Sequence, residues 1–238
     1  MEKVRTFVIH VRGNRQRELH ISSEMSRRNI KYEFILDGNM EDITENLLEK
    51  YFTGEMKKVS PHASCALKHF FVYEKMVEDK IPLALVFEDD IELYDSFQNI
   101  FESSVSEARK ENLENFIISY ESSTQNFISN SEAVRGKYLY RKSHGRCAGA
   151  YLLNLNAAKT ILQYAYHEKC GTVLDWFHNE LSDKELLGIY WCHPPVAEQQ
   201  SHNGKVFSLL DEKKQGYFYR VKFFLQKKYK EKILSRFR

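Results

Sequence analysis

Along most of this chain, short unbroken apolar runs take turns with longer stretches that carry one apolar face. Thr6 to Val11 is a run of strand length, and Leu19, Ile21 and Met25 follow at helical spacing after a polar, Arg-rich turn. Tyr32 to Leu36 reads as a second strand, closed by Asp37-Gly38-Asn39, and Ile43, Leu47, Leu48 and Tyr51 give a second helical stripe. Ser60-Pro61 places a capping side chain before a proline at the first helical position, where its missing N–H costs nothing. Ala63, Ala66, Leu67, Phe70, Tyr73 and Val77 supply the apolar face of that helix, which ends at Ile81-Pro82. Leu83 to Phe87 then reads as a central strand that stops abruptly at Glu88-Asp89-Asp90. Further on, the pattern predicts a helix over Tyr94 to Arg109, a strand over Phe116 to Tyr120 and a polar loop from Glu121 to Gly145. A strand over Ala150 to Leu153 follows, then a helix capped by Asn156 with Ala157, Ala158, Ile161, Leu162 and Ala165 inside. A last strand, Ile189 to Cys192, precedes Pro194-Pro195.

No internal repeat interrupts this alternation, which implies a single α/β domain with a central, mostly parallel sheet flanked by helices. Ligands of such sheets bind beyond the carboxyl ends of the strands, which is where Glu88-Asp89-Asp90 would lie. With 42% hydrophobic residues in periodic stretches, the 238-residue chain has enough apolar content to bury a core.

Charge adds a second division. The net charge of +2 argues against a nucleic-acid partner, yet from Arg220 to Arg238 eight Lys/Arg face the single Glu231, leaving the first 219 residues at −5. Residues 1–216 are therefore read as the main domain and 217–238 as a basic aromatic tail. Its aromatics alternate with Lys/Arg, which favours an anionic membrane surface; the ordinary alternative is a helix packing its apolar side on the domain. Cys65, Cys147, Cys170 and Cys192 form no CxxC pair, so reduced thiols in a cytosol fit best. The N-terminus lacks the pattern of a secretory signal, and no run of 18 apolar residues occurs. The expected location is the cytoplasm, with peripheral contact at the cytoplasmic face of the inner membrane.

Three adjacent carboxylates at a strand end repel one another, so keeping them ionised takes a compensating cation or full solvation. Hard oxygen ligands suit Mn²⁺ or Mg²⁺ completed by water and substrate phosphates, which describes a nucleoside-diphosphate site. A solvated acidic turn is the competing reading of the triplet alone.

Several segments together, spread over most of residues 4 to 202, resemble glycosyltransferase family 25. Phe7-Val8-Ile9-His10-Val11 with Arg17 is similar to the family's first strand and arginine, with His10-Val11 in place of Asn-Leu. Asp37-Gly38 resembles its Asp-Gly turn, and Cys65-Ala66-Leu67-Lys68-His69 its Cys-Ala-Leu-Ser-His helix, with Lys68 replacing serine. Leu85 to Asp90 resembles its Glu-Asp-Asp strand end, and Gly149 to Leu153 with Ala157-Ala158-Lys159 a later segment. Asp175 and the stretch from Pro195 to Gln199 fall where the family has an aspartate and a Pro-rich, Gln-containing turn. The resemblance implies a GT-A-like fold, a nucleotide-sugar donor, usually a UDP-sugar with galactose as the default, and inversion at the anomeric carbon. It also implies a glycan or glycolipid acceptor, most economically in bacterial lipooligosaccharide or surface-polysaccharide assembly.

Roles follow as expectations. Asp90 is the direct metal ligand, Glu88 flanks nucleotide and metal, and Asp89 is a second ligand or a ribose contact. His202, after Gln199, is a candidate third metal ligand. Arg17 pairs with a donor phosphate or is an exposed helix arginine, and Asp37 lies on the donor side. Asp175, next to Trp176, is the candidate base for the acceptor hydroxyl, with Glu198 in reserve. His62, Cys65 and His69 share one helix face, which suggests zinc; that stripe also carries core residues and has no fourth ligand spaced nearby, so His69 reads as a hydrogen-bonded core or near-site histidine. The alternative functions are a metal-dependent phosphoryl-transfer or hydrolytic enzyme, and an inactive glycan-binding module.

Overall fold

The apolar runs become strands of one sheet, with the amphipathic stretches laid on its two faces. The computed structural model describes residues 4–203 and 217–230. In the first half lie β1 (Val4–Ile9), α1 (Arg15–Arg27), β2 (Glu33–Ile35), α2 (Glu45–Tyr51), α3 (Pro61–Glu78), β3 (Leu83–Glu88), β4 (Ile91–Leu93) and α4 (Phe97–Lys110). Then come β5 (Phe116–Ser119), β6 (Leu139–Lys142), β7 (Ala150–Asn154), α5 (Leu155–His167), α6 (Leu174–Asp183), β8 (Gly188–Cys192), β9 (Ala197–Gln199), α7 (Gln200–Asn203) and α8 (Tyr217–Tyr229).

Seven strands form the main sheet in the order β2-β1-β3-β7-β5-β8-β6, and β4 pairs with β9 in a separate two-stranded ribbon. β2, β1 and β3 are mutually parallel, as are β5 and β8; β7 and β6 run against their neighbours. Five of the seven strands thus share one direction, so the mostly parallel α/β architecture expected from the sequence is the one observed. Successive side chains of a strand point to opposite faces, and both faces here are covered by helices. Ala84 and Val86 of β3, with Tyr151 and Leu153 of β7, join α3, α5 and α6 on one side. Leu85 and Phe87, with Ala150 and Leu152, join α1 and α4 on the other.

Local chemistry sets the helix starts. Ser60 Oγ accepts from Ala63 N ahead of Pro61, as the Ser-Pro pair predicts. The cap of α5 is Asn154 rather than Asn156: Asn154 Oδ1 takes Ala157 N at 3.0 Å, while Asn156 turns its amide to Glu114 O. α4 begins at Phe97, later than predicted, because Tyr94 N is held by Val196 O beside the small ribbon. The polar stretch from 121 to 145 contains β6, an edge strand whose half-polar sequence hides it.

The tail is helical in its described part and lies on the domain. Phe223 is buried, its carbonyl accepts from Gln125 Nε2, and Lys227 Nζ reaches Glu198, Tyr94 and Ser122 at 2.6–3.0 Å. The expected division at 216/217 falls beside residues outside those described. No helix among the described residues is long and apolar enough to cross a membrane.

Candidate active site

Acidic residues gather at the carboxyl ends of β3 and β5, where the parallel strands open. Glu88 closes β3, Asp89 and Asp90 follow it, and Glu121 lies just past β5. Asp89, Asp90 and Glu121 are all buried.

Asp89 has both oxygens engaged. His10 Nδ1, one residue beyond β1, lies 2.8 Å from Oδ2, and Arg17 Nη1 on α1 donates to Oδ1 at 2.6 Å. Burial alone would raise the Asp89 pKa, but the His10 hydrogen bond and the Arg17 charge more than offset it, and the carboxyl ends below its usual range. Arg17 is therefore neither exposed nor free to swing: it is a buried cation that anchors the acidic turn, with Nη2 3.5 Å from Asp90 Oδ2. Part of the cation that the three carboxylates demand is thus a residue of the chain.

Asp90 differs from its neighbour. Its backbone carbonyl accepts from Gln200 N, and Oδ2 accepts from Ser201 N at 3.3 Å, but the buried Oδ1 has no partner. Burial and the charges of Asp90 and Asp89 raise the Glu88 pKa, while Gln199 Nε2 holds its Oε2 at 2.8 Å. Burial pushes Glu121 up to about 8, and its Oε1 is also without a partner. Gly149 makes this crowding feasible, because a Cβ there would lie 2.1 Å from Glu121 Oε1 and 2.6 Å from Gln199 Cδ. Unpartnered, buried oxygens of hard carboxylates fit Mn²⁺ or Mg²⁺ in donor chemistry.

Asp175 sits in the first turn of α6 and lines a water-sized cavity of about 20 Å³ with Tyr151, His178 and Arg146. Burial raises its pKa, and the charge of Glu88 adds to the rise. Trp176, next to it, is 64% exposed, so its ring is a surface group and not a core residue. Glu198 points to the other side of β9 from Gln199, its carboxylate taken by Lys227 and Tyr94. Asp37 is exposed on the turn after β2. Lys68, which stands where the resembled family has serine, is buried and donates to Leu36 O and Asp37 O at 3.0 Å each, so it props that turn from below. The His202 side chain lies outside the described residues.

Sequence reasoning missed His10, Glu121 and Gln199 as site groups. Glu121 follows a predicted strand in the same way as Glu88, and that position was the available signal. Gln199 and His10 were marked only by the family resemblance, as part of the Gln-containing turn and of the first strand, and folding is what brings β9 and β1 to the end of β3.

The family model for glycosyltransferase family 25 (LPS biosynthesis protein) matches residues 3–176, most of the chain. The chain belongs to glycosyltransferase family 25. Its relatives include the lacto-N-neotetraose biosynthesis glycosyltransferase LgtE of Neisseria meningitidis, 23% identical over 84% of this chain and 76% of that protein. A putative glycosyltransferase of Haemophilus influenzae is 24% identical over 71% of this chain and 60% of its own length. Among solved structures, apo mouse xyloside xylosyltransferase 1 aligns at a TM-score of 0.39 with 12% identity, over 77% of this chain and 83% of that one. As a family 25 member the chain is a glycosyltransferase, a class that implies a nucleotide-sugar donor and a glycan acceptor.

Proposed function

We propose that this family 25 enzyme transfers a sugar from a UDP-sugar, galactose being the first to test, to a hydroxyl of a glycan or glycolipid acceptor in lipooligosaccharide assembly. The transfer inverts the anomeric carbon. The observation that carries the donor site is the buried, unpartnered Asp90 Oδ1 beside Glu88 at the carboxyl end of β3. Asp90 and Glu88 are the residues to hold a Mn²⁺ or Mg²⁺ ion, and the chemistry such an ion supplies when bound is neutralisation of charge on the departing nucleoside diphosphate. Arg17 and His10 keep Asp89 fixed, so the neighbouring Asp90 is presented without rearrangement.

Asp175 is the proposed base. It takes the proton from the acceptor hydroxyl as that oxygen bonds to the anomeric carbon, the bond from that carbon to the donor phosphate breaks, and UDP carries the electron pair away. Asp175 is favoured over Glu198 because Glu198 is already neutralised by Lys227. The exposed face of Trp176 offers an apolar platform for a sugar ring. Because burial raises the Asp175 pKa, the ionised base is lost as pH falls through a value above the ordinary carboxylate range. The acid limb of turnover should therefore lie higher than for a solvated aspartate. Release of UDP from a panel of UDP-, GDP- and CMP-sugars, with and without acceptor, tests the assignment. Asp175→Asn should lower turnover by about 10²–10⁴-fold with donor binding intact, and undiminished turnover would remove Asp175 from the role. Release of inorganic phosphate would favour the hydrolytic alternative.

The tail extends the proposal to the cytoplasmic membrane surface. Phe224, Leu225 and Tyr229 stay exposed beside Lys222 and Lys228 after Phe223 has docked, a mixture suited to anionic lipid. Co-sedimentation of the full chain with phosphatidylglycerol vesicles should exceed that with neutral vesicles and fall with salt. Equal recovery with both would count against it.

A further inference from the structure

The helix α3 brings Cys65 and His69 to the end of β3, where Glu88 meets them. Their ligand atoms, one each, lie within 4.8 Å of one another. Both Cys65 Sγ and His69 Nε2 are 3.8 Å from the same oxygen, Glu88 Oε1. A tetrahedral zinc ion, with about 2.3 Å to sulfur and about 2.0–2.1 Å to nitrogen and oxygen, sets its ligand atoms roughly 3.3–3.5 Å apart. The two contacts to Glu88 Oε1 lie within a few tenths of an ångström of that spacing, and the third edge, between Cys65 and His69, is at most 4.8 Å and has further to close.

His69 supplies the independent sign of a missing partner. The side chain is fully buried and Nε2 has no hydrogen bond, a costly state for a polar atom. Its other nitrogen is fixed: Nδ1 lies 2.7 Å from Tyr151 Oη, which lies 2.6 Å from Tyr73 Oη, which lies 3.0 Å from His178 Nε2. If each group donates onward from His69 to His178, every hydroxyl in this buried chain is satisfied and His69 Nε2 is left as a bare lone pair. In the reverse direction Nε2 carries a proton and faces a carboxylate too distant to accept it. An imidazole held through one nitrogen and open at the other is the arrangement of metal-ligating histidines.

We infer that Cys65, His69 and Glu88 form a cation site for Zn²⁺, which shares Glu88 with the all-oxygen donor site at Asp90 but differs from it in its sulfur and nitrogen ligands. Sulfur and imidazole select a softer ion than Mn²⁺ or Mg²⁺. On binding, the Cys65 S–H proton is released to solvent, and thiolate, carboxylate and Zn²⁺ form a neutral set with His69. The fourth corner belongs to water, since Cys65 is only partly buried and the Glu88 side chain keeps 19% of its surface. The ion ties α3 to β3, joining elements that contiguous sequence could not, because Glu88 lies beyond the helix carrying the other two ligands. The inference does not depend on the transferase reading.

The full chain, stripped with chelator, is titrated with Zn²⁺ against a chromophoric chelator and separately with Co²⁺. A single Zn²⁺ per chain, a thiolate-to-cobalt charge-transfer band and a melting temperature that climbs with Zn²⁺ are expected. Cys65→Ser should abolish the band and weaken Zn²⁺ by about 100-fold or more, beyond what loss of an outer partner costs, while Asp90→Asn and Cys147→Ala leave both unchanged. Absence of the band in the unsubstituted chain, or Zn²⁺ binding that survives Cys65→Ser and vanishes in Asp90→Asn, overturns the site. Because the band is read in the native chain, a poorly folded variant does not protect the inference.

Discussion

Replacing Arg17 with methionine should lower the free energy of unfolding by about 3–5 kcal/mol, the usual cost of removing one partner from a buried ion pair. Methionine keeps most of the side-chain volume, so the loss is electrostatic. It leaves Asp89 and Asp90, both nearly inaccessible to solvent, without the guanidinium that now sits at 2.6 Å and 3.5 Å. The pH dependence has a fixed sign. The Asp89 pKa is depressed in the folded chain, so its contribution is complete above the unfolded value near ~3.9 and is lost as pH falls through the lower, folded value. The gap between wild type and Arg17→Met should be widest at neutral pH and narrow in acid. Urea denaturation at both pH values measures it; a gap below about 1 kcal/mol at neutral pH would mean that the carboxylates find solvent or protons on their own.

Asp90→Asn should act on the chemistry and leave the fold standing. Asparagine preserves the shape and retains an acceptor for Ser201 N, while removing one charge from a crowded acidic turn. What it takes away is the unpartnered anionic oxygen on which the donor site rests. Release of nucleotide from the donor should drop by about 10²–10³-fold, the scale seen when one preorganised electrostatic group is deleted, and the residual rate should no longer respond to EDTA. The denaturation midpoint should stay within about 1 kcal/mol of wild type. A variant with full turnover would show that Asp90 is a structural residue like Asp89.

The sheet was legible wherever burial on both faces made an unbroken apolar run, as in Leu83 to Phe87 and Ala150 to Leu153. It was illegible at β6, whose second half is the exposed Arg141 and the half-buried Lys142, and at β4 and β9, three-residue strands too short to carry a period. α6 escaped because its N-cap is Val173, which offers no capping oxygen. In the site, the acidic triplet could be seen because its members are adjacent. Their partners could not: Arg17, His10, Gln199 and Ser201 reach them from 72 to 111 residues away along the chain. The triplet alone points to a metal as its compensating charge, and Arg17 supplies part of that charge. The His-Val pair in place of Asn-Leu and the lysine in place of serine also gained meaning only in space, one binding Asp89 and the other two backbone carbonyls.

Both rims of the seven-stranded sheet are ill suited to receive another strand. β2 has three residues and β6 four, so an incoming chain would find few free N–H and C=O groups in register. It would also have to displace charge: Glu33 on β2 is paired with Arg5, and Lys142 on β6 with Glu132. A seven-stranded sheet covered on both faces is therefore guarded against edge-to-edge polymerisation at its two borders by brevity and by ion pairs.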